Sequence, residues 1–146
     1  MTQVDVTLMR GVSASGKTTF AEALCRSNGG VRVSRDDLQR LLFGIKGKAV
    51  LSNDEEKYVT EFQRDWIERE LDSGRKVVID DTNLNKSLLT SLCRWINDLG
   101  YDFEIVDMKV DLDEALARNA RRTDTERIPD DAIKRQFQRA WWGAVK

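Results

Sequence analysis

Gly11-Val12-Ser13-Ala14-Ser15-Gly16-Lys17-Thr18 decides how the rest of this sequence is read. The octapeptide satisfies G-x-x-x-x-G-K-[ST] at each fixed position. A loop with that spacing wraps a phosphate with inward-pointing backbone N–H groups, and its glycines permit the tight backbone path. The flanks agree. Val4-Asp5-Val6-Thr7-Leu8-Met9 is a short apolar and β-branched run that reads as a strand ending at Arg10. From Lys17 onward, Phe20, Ala21, Ala23 and Leu24 predict a helix that stops near Asn28-Gly29-Gly30. The start of that helix adds its partial positive charge to the loop. Gly11, Ser13, Ala14, Ser15, Gly16, Lys17, Thr18 and Thr19 are therefore the expected contacts of a nucleoside triphosphate such as ATP. Lys17 is expected at the β- and γ-phosphates, and the Thr18 hydroxyl on Mg²⁺.

Outward from this loop, strand and helix signals alternate. Val31-Arg32-Val33 is a short strand, and Asp36 to Phe43 reads as a short helix before Gly44. Residues 44–51, with two glycines and two lysines, read as a mobile loop. Ser52-Asn53-Asp54-Glu55 is a capping box that opens a long helix to about Leu71. Lys76 to Asp80 is a continuous apolar run closed by an acid, as in a buried parallel strand. A helix follows from about Lys86 to Leu99, then a strand over 102–110. A helix capped at Asp111 comes next, and a last one opens at Pro129 and runs to about Trp142. With no two strands consecutive, this order predicts a single domain over 1–146. Its expected architecture is a three-layer α/β P-loop NTPase fold, with a mostly parallel central sheet and helices on both faces.

Composition narrows the chemistry. The 146 residues are 40% hydrophobic, enough for a real core, and the net charge is −1. A protein coating long nucleic acid carries a basic excess, so a nucleic-acid partner here would be gripped at an end or over a few nucleotides. The sequence holds no histidine, which excludes a histidine base and leaves proton abstraction to a carboxylate or a lysine. Cys25 and Cys93 form no CxxC pair, which fits a reducing cytoplasm. No apolar stretch is long enough for a membrane span, and the N-terminus does not look like a signal peptide.

Three further segments bear on chemistry, each with two readings. Ser34-Arg35-Asp36-Asp37 follows the second strand, on the sheet end where ligands bind in parallel α/β folds. Asp36 there is the natural general base for an alcohol acceptor, or else Ser34, Asp36 or Asp37 merely caps the next helix. Asp80-Asp81-Thr82-Asn83 ends the third strand. An acid there commonly helps hold Mg²⁺, and Asp81 and Thr82 face the acceptor, unless the stretch is only a turn. Arg118 and Arg122, four apart on one helix face, either cover the nucleotide and neutralise migrating charge or form a solvated face.

Taken together, GVSASGKTT at 11–19, SRDD at 34–37, DTNLN at 81–85 and ARNARR at 117–122 resemble the 5'-polynucleotide kinase domain of phage-type polynucleotide kinase/phosphatase. They stand in that family's order and at similar spacing over nearly the whole chain. The resemblance implies ATP- and Mg²⁺-dependent phosphorylation of the 5'-hydroxyl end of DNA or RNA, in nucleic-acid end repair. It further implies a cytoplasmic setting, the host's if the chain is phage-encoded. It assigns Lys17 and Thr18 to the phosphates and Mg²⁺, Asp36 to the general base, Arg122 to the lid beside the transferred phosphate and Arg118 to the donor nucleotide. The family's acceptor-holding arginine, three residues after the base, is replaced here by Gln39, with Arg40 next. Either Arg40 substitutes, or Asp37 is the base with Arg40 three residues on. Asp81, Thr82 and Arg40 complete the expected acceptor set. The family's phosphatase motif is absent, so the chain offers the kinase half alone. Trp141 and Trp142 either pack in the core or meet a second copy or an adjoining phosphatase domain. Two alternatives share the donor features: a small-molecule kinase, and a nucleotide-binding module without transfer activity.

Overall fold

A computed structural model describes residues 4–44, 51–124 and 126–145. The order is β1 (Val6–Arg10), α1 (Lys17–Asn28), β2 (Val31–Val33), α2 (Arg35–Phe43), α3 (Asn53–Asp72), β3 (Val77–Asp80), α4 (Lys86–Asp98), β4 (Phe103–Asp107), α5 (Leu112–Ala120) and α6 (Asp130–Arg139). The strands form a four-stranded sheet in the order β2-β3-β1-β4. All three pairings are parallel, with Leu8 opposite Ile79 and Ile105, and Met9 opposite Asp80. The carboxyl ends of β1, β2 and β3 therefore open on one edge, and that edge is the crevice where a parallel sheet binds ligands.

The pleat divides the core. Val6, Leu8, Val77 and Ile79 point to the face covered by Ile67 of α3 and by Leu89, Cys93 and Ile96 of α4. Met9 and Val78 point to the opposite face, against Ala21, Leu24 and Cys25 of α1. Residues one apart on a strand face opposite sides, which is why central strands buried on both faces read as continuous apolar runs. A third cluster, with Val12, Leu84, Ala115, Ile128 and Ile133, lies under α5 and α6 and anchors the arginine-bearing segment to the phosphate loop.

The caps follow the sequence. Ser52 and Glu55 form the reciprocal capping box of α3. Asn85 accepts from the Leu88 N–H at the start of α4, and Asp111 from the Glu114 N–H at the start of α5. Of the expected loop 44–51, Gly44 caps α2 and Leu51 is buried, while 45–50 lie outside the described residues.

Two boundaries are shorter than the sequence pattern predicts. β4 stops at Asp107 rather than 110, because β1, its one sheet neighbour, ends at Arg10 and offers no ladder beyond it. α6 stops at Arg139 rather than Trp142. The chain turns extended at Ala140, and the Trp141 N–H donates to the Leu84 carbonyl. Arg10 draws this tail in. Buried to 3% exposure, it donates to Asp107, to the Gly143 and Trp142 carbonyls, and lies over both indole rings. Trp141 and Trp142 pack against two of the core clusters of this chain. No described helix is long and apolar enough to cross a membrane.

Candidate active site

The phosphate loop is a backbone cradle. Ala14 and Gly16 both adopt left-handed φ, 63° and 98°, and Gly16 caps α1 without any side-chain hydrogen bond. The first N–H groups of α1 are thus left for an anion. Gly11 admits no side chain, since a Cβ there would stand 2.6 Å from the Met108 carbonyl oxygen. Ser15 Oγ is buried and has no hydrogen-bond partner among the described residues. From α6, Gln136 grips the loop at two points. Its Oε1 accepts from the Ser13 N–H (2.7 Å), and its Nε2 donates to Ser13 Oγ (3.0 Å). Lys17 is buried and donates from Nζ to the Val12 carbonyl (2.8 Å). Burial lowers its pKa to about 8, with Arg122 adding to the effect and Asp80, Asp81 and Asp36 opposing it. A lysine sheathed in protein, beside a helix start that no side chain caps, is a site for phosphate oxygens.

Beside the cradle, Thr18 Oγ1 donates to Asp80 Oδ2 at 2.8 Å. This hydroxyl and carboxylate fit a magnesium ion that takes its remaining ligands from water and substrate phosphates. Among the described residues no group of three acidic, cysteine or histidine side chains could hold a metal by itself. Bound there, the ion would neutralise charge on the β- and γ-phosphates. Arg32 also reaches Asp80, with Nε 2.7 Å from Oδ2.

The two adjacent acids at the start of α2 have different surroundings. The Asp37 N–H donates to Ser34 Oγ, so Ser34 is the cap and neither acid is needed for it. Asp37 is held by Arg32 (2.5 Å) and by Arg40, one oxygen each. Asp36 is exposed, makes no hydrogen bond or ion pair among the described residues, and faces the cleft shared with Lys17, Thr18 and Arg122. Arg40 reaches that cleft too, with its guanidinium on Asp37.

The DTNLN segment is a joint. Asp81 accepts from the Arg35 N–H (2.8 Å) and from Gln63 Nε2 (2.9 Å), tying β3 to α2 and α3. Burial pushes its carboxyl pKa up to about 6 against the pull of those two donors. The Thr82 carbonyl accepts from the Gly11 N–H. Asn83 takes a left-handed φ of 51° and donates to the Met9 carbonyl (2.6 Å). Leu84 is buried and Asn85 caps α4. Thr82, Asn83 and Leu84 thus hold the segment after β3 against the end of β1 and the loop that follows it, while Asp81 and Asn85 tie it to α2, α3 and α4.

On the opposite wall, Arg118 pairs with Glu114 (2.8 Å) and holds Nη1 3.2 Å from where a Cβ on Gly16 would stand. Arg122 lines the cleft with Lys17 and Asp36 and forms no ion pair among the described residues. Asn119 between them is 1% exposed and clamps the following loop. Its Nδ2 donates to the Ile128 carbonyl (2.7 Å) and its Oδ1 accepts from the Ile128 N–H (3.2 Å).

Two clefts meet at this point. One of about 260 Å³ holds the cradle side, with Lys17, Thr18, Asp80 and Arg122. The other, about 510 Å³, runs between α3 and α4, with Thr60, Gln63, Arg64, Leu88 and Leu92 on its walls. Ser13, Asp36, Asp81 and Thr82 line both. The structure thus brings Lys17, Thr18, Asp36, Arg40, Asp81, Thr82 and Arg122 to one place, with Arg118 against Gly16. Sequence reading missed Arg32, Gln63, Asn119 and Gln136. Asn119 had a signal, an amide inside the arginine motif. The other three are single polar residues on amphipathic elements and carry none.

The parallel α/β fold and the phosphate loop at its ligand edge define a protein of the P-loop class. A family model described as AAA domain matches residues 6–141, and the chain belongs to that family. It is 29% identical over 140 residues to the "Putative bifunctional polynucleotide kinase/RNA ligase" of Autographa californica nuclear polyhedrosis virus, covering 88% of this chain and 20% of that protein. In solved structures it superposes on a chain of the Pnkp1/Rnl/Hen1 RNA repair complex with a TM-score of 0.77 at 22% identity, over 95% of this chain and 45% of that one. On the Mycobacterium tuberculosis APS kinase CysC, in complex with AMPPNP and APS, the TM-score is 0.66 at 17% identity, over 81% and 69%. The chain spans a fifth of the viral relative's length and under half of the repair-complex chain.

Proposed function

We propose that residues 1–146 form one kinase domain that moves the γ-phosphoryl group of ATP to the 5'-hydroxyl end of DNA or RNA, in the setting of nucleic-acid end repair. The observation that carries this reading is Asp36, an unpaired carboxylate at the mouth shared by the phosphate cradle and the second groove. An alcohol entering from the α3–α4 side meets Asp36 before it meets the γ-phosphate. The hydroxyl oxygen forms the new bond to γ-phosphorus, its proton passes to the Asp36 carboxylate, and the bond to the β–γ bridging oxygen breaks with ADP leaving. Lys17, Arg122 and Arg118 neutralise the migrating charge, and Thr18 with Asp80 would hold Mg²⁺. Asp81 and Thr82 shape the acceptor wall. Asp37, fixed by two guanidinium groups, serves as their anchor, which leaves the base role to Asp36.

A second reading, a kinase of small metabolites, has its own support. Gln39 stands where the resemblance expects the arginine that holds the acceptor's phosphate, and Arg40 is engaged with Asp37. Transfer of labelled γ-phosphate to a single-stranded 5'-hydroxyl oligonucleotide, with its 5'-phosphorylated twin as control, tests the choice. Label on the hydroxyl oligonucleotide alone is the expected result. No label from a protein that still binds ATP would overturn the polynucleotide reading in favour of small acceptors.

A further inference from the structure

Arg32 has no part in the transfer described above, yet it lines the cleft with Lys17, Thr18 and Asp80. Nε donates to Asp80 Oδ2 at 2.7 Å, the same oxygen that accepts from Thr18 Oγ1 at 2.8 Å. Nη2 lies 3.4 Å from Thr18 Oγ1, and Nη1 donates to Asp37 Oδ2 at 2.5 Å. The Arg32 side chain is 21% exposed and that of Asp80 is 2% exposed. A fixed cation therefore sits against both oxygen groups that a divalent ion would take as protein ligands.

We infer that Arg32 is the resident counter-cation of the metal site, so that a divalent ion enters only in company with the nucleotide. A buried carboxylate without a cation is costly, and Arg32 removes that cost while the cleft is empty. A free divalent ion would have to displace the guanidinium from Asp80 and would receive one carboxylate and one hydroxyl in return. Among the described residues no three acidic, cysteine or histidine side chains come together to hold it. Magnesium gives up its water reluctantly, which makes so poor a protein site weaker still. A triphosphate changes the balance by bringing several phosphate oxygens and their negative charge to the same point. Asp37 is then the second anchor of Arg32. The guanidinium keeps that pair when Asp80 turns to the metal, and it stays in the cleft rather than passing into solvent. The inference depends on the kinase class and is independent of which acceptor is phosphorylated.

Mn²⁺ titration of the full chain, followed by electron paramagnetic resonance with no nucleotide or acceptor present, tests it. The wild type is expected to bind Mn²⁺ poorly. Arg32→Gln should bind roughly ten- to a hundredfold more tightly, the range that loss of a competing charge-assisted hydrogen bond supports. Adding Asp80→Asn should remove the gain. Arg32→Lys keeps the charge without the two-armed fork and should fall between wild type and Arg32→Gln. Equal Mn²⁺ affinity in wild type and Arg32→Gln, or a gain that survives Asp80→Asn, would overturn the proposal. Thermal unfolding of each variant is run alongside. If Arg32→Gln does not unfold cooperatively, Arg32→Met, which removes the same charge, decides, and its equality with wild type overturns the proposal in the same way.

Discussion

The halves of the cleft that we propose for donor and acceptor are built by different means. The donor half is backbone: a left-handed Ala14 and Gly16, a glycine without room for Cβ, and the uncapped start of α1. The acceptor half is side chain, with Asp37 between Arg32 and Arg40, Asp81 between the Arg35 N–H and Gln63, and Asp36 left over. A backbone site is dictated by local conformational preference, and eight consecutive residues suffice to specify it. A side-chain network depends on which residues the fold happens to juxtapose, and its members come from β2, α2, α3 and the loop after β3. The donor half should therefore behave alike across relatives with unlike acceptors, and the acceptor half should carry the specificity.

The sharpest test of the contrast lies within the acceptor half. Asp36→Asn should lower kcat by roughly 10² to 10⁴ with ATP affinity retained, the usual range for a lost general base. Asp37→Asn should lower kcat by less than about tenfold and act mainly on the KM for acceptor, because an anchoring carboxylate acts through the arginines it holds. Reversed effects at the two positions would move the base to Asp37 and break the comparison.

A donor-side test uses pH. Burial holds the Lys17 pKa near 8 in the empty protein, and phosphate oxygens favour the charged form, so the nucleotide-bound pKa is higher. The affinity contributed by Lys17 is thus fully present below pH 8 and is lost as pH rises through it, approaching about tenfold per unit. Calorimetry in buffers of differing ionisation enthalpy should show proton uptake on nucleotide binding at pH 9 and none at pH 6. Affinity that stays flat from pH 7 to 10 would mean that Lys17 remains charged in the empty cradle.

The smallest expected effect is at Gln136, where the donor half does depend on a distant side chain. Gln136→Ala removes both hydrogen bonds to the buried Ser13 and should cost about 1–2 kcal/mol of stability, read by thermal or urea unfolding. Nucleotide affinity should fall with it if the amide keeps the loop in its binding shape.

Much of the fold is legible without coordinates. The capping box at Ser52, the apolar run before Asp80 and the glycine stops are short-range signals, and the helices and strands lie close to where those signals put them. Errors fall at ends that depend on distant partners. β4 runs short because β1 does, and α6 is cut at Arg139 where Arg10 and Leu84 capture the chain. In the cleft, the motif residues could be found by spacing, whereas Gln63, Gln136 and Arg32 could not, since a polar residue on an amphipathic element looks the same whether it faces water or a buried partner.

By itself, the sequence determined the phosphate cradle, the alternation of strand and helix, and hence a parallel α/β fold with its ligand edge at the carboxyl ends of the strands. These follow from local backbone preference and periodic patterning, which act over a few residues. Only the tertiary structure decided that Ser34 rather than an acid caps α2, that Asp36 is free while Asp37 is bound, and that Arg32 lies against Asp80. These depend on residues far apart in the chain. Arg32 and Asp80 are 48 positions apart and Arg35 and Asp81 are 46, and the parallel register of β2 on β3 is what brings both pairs together.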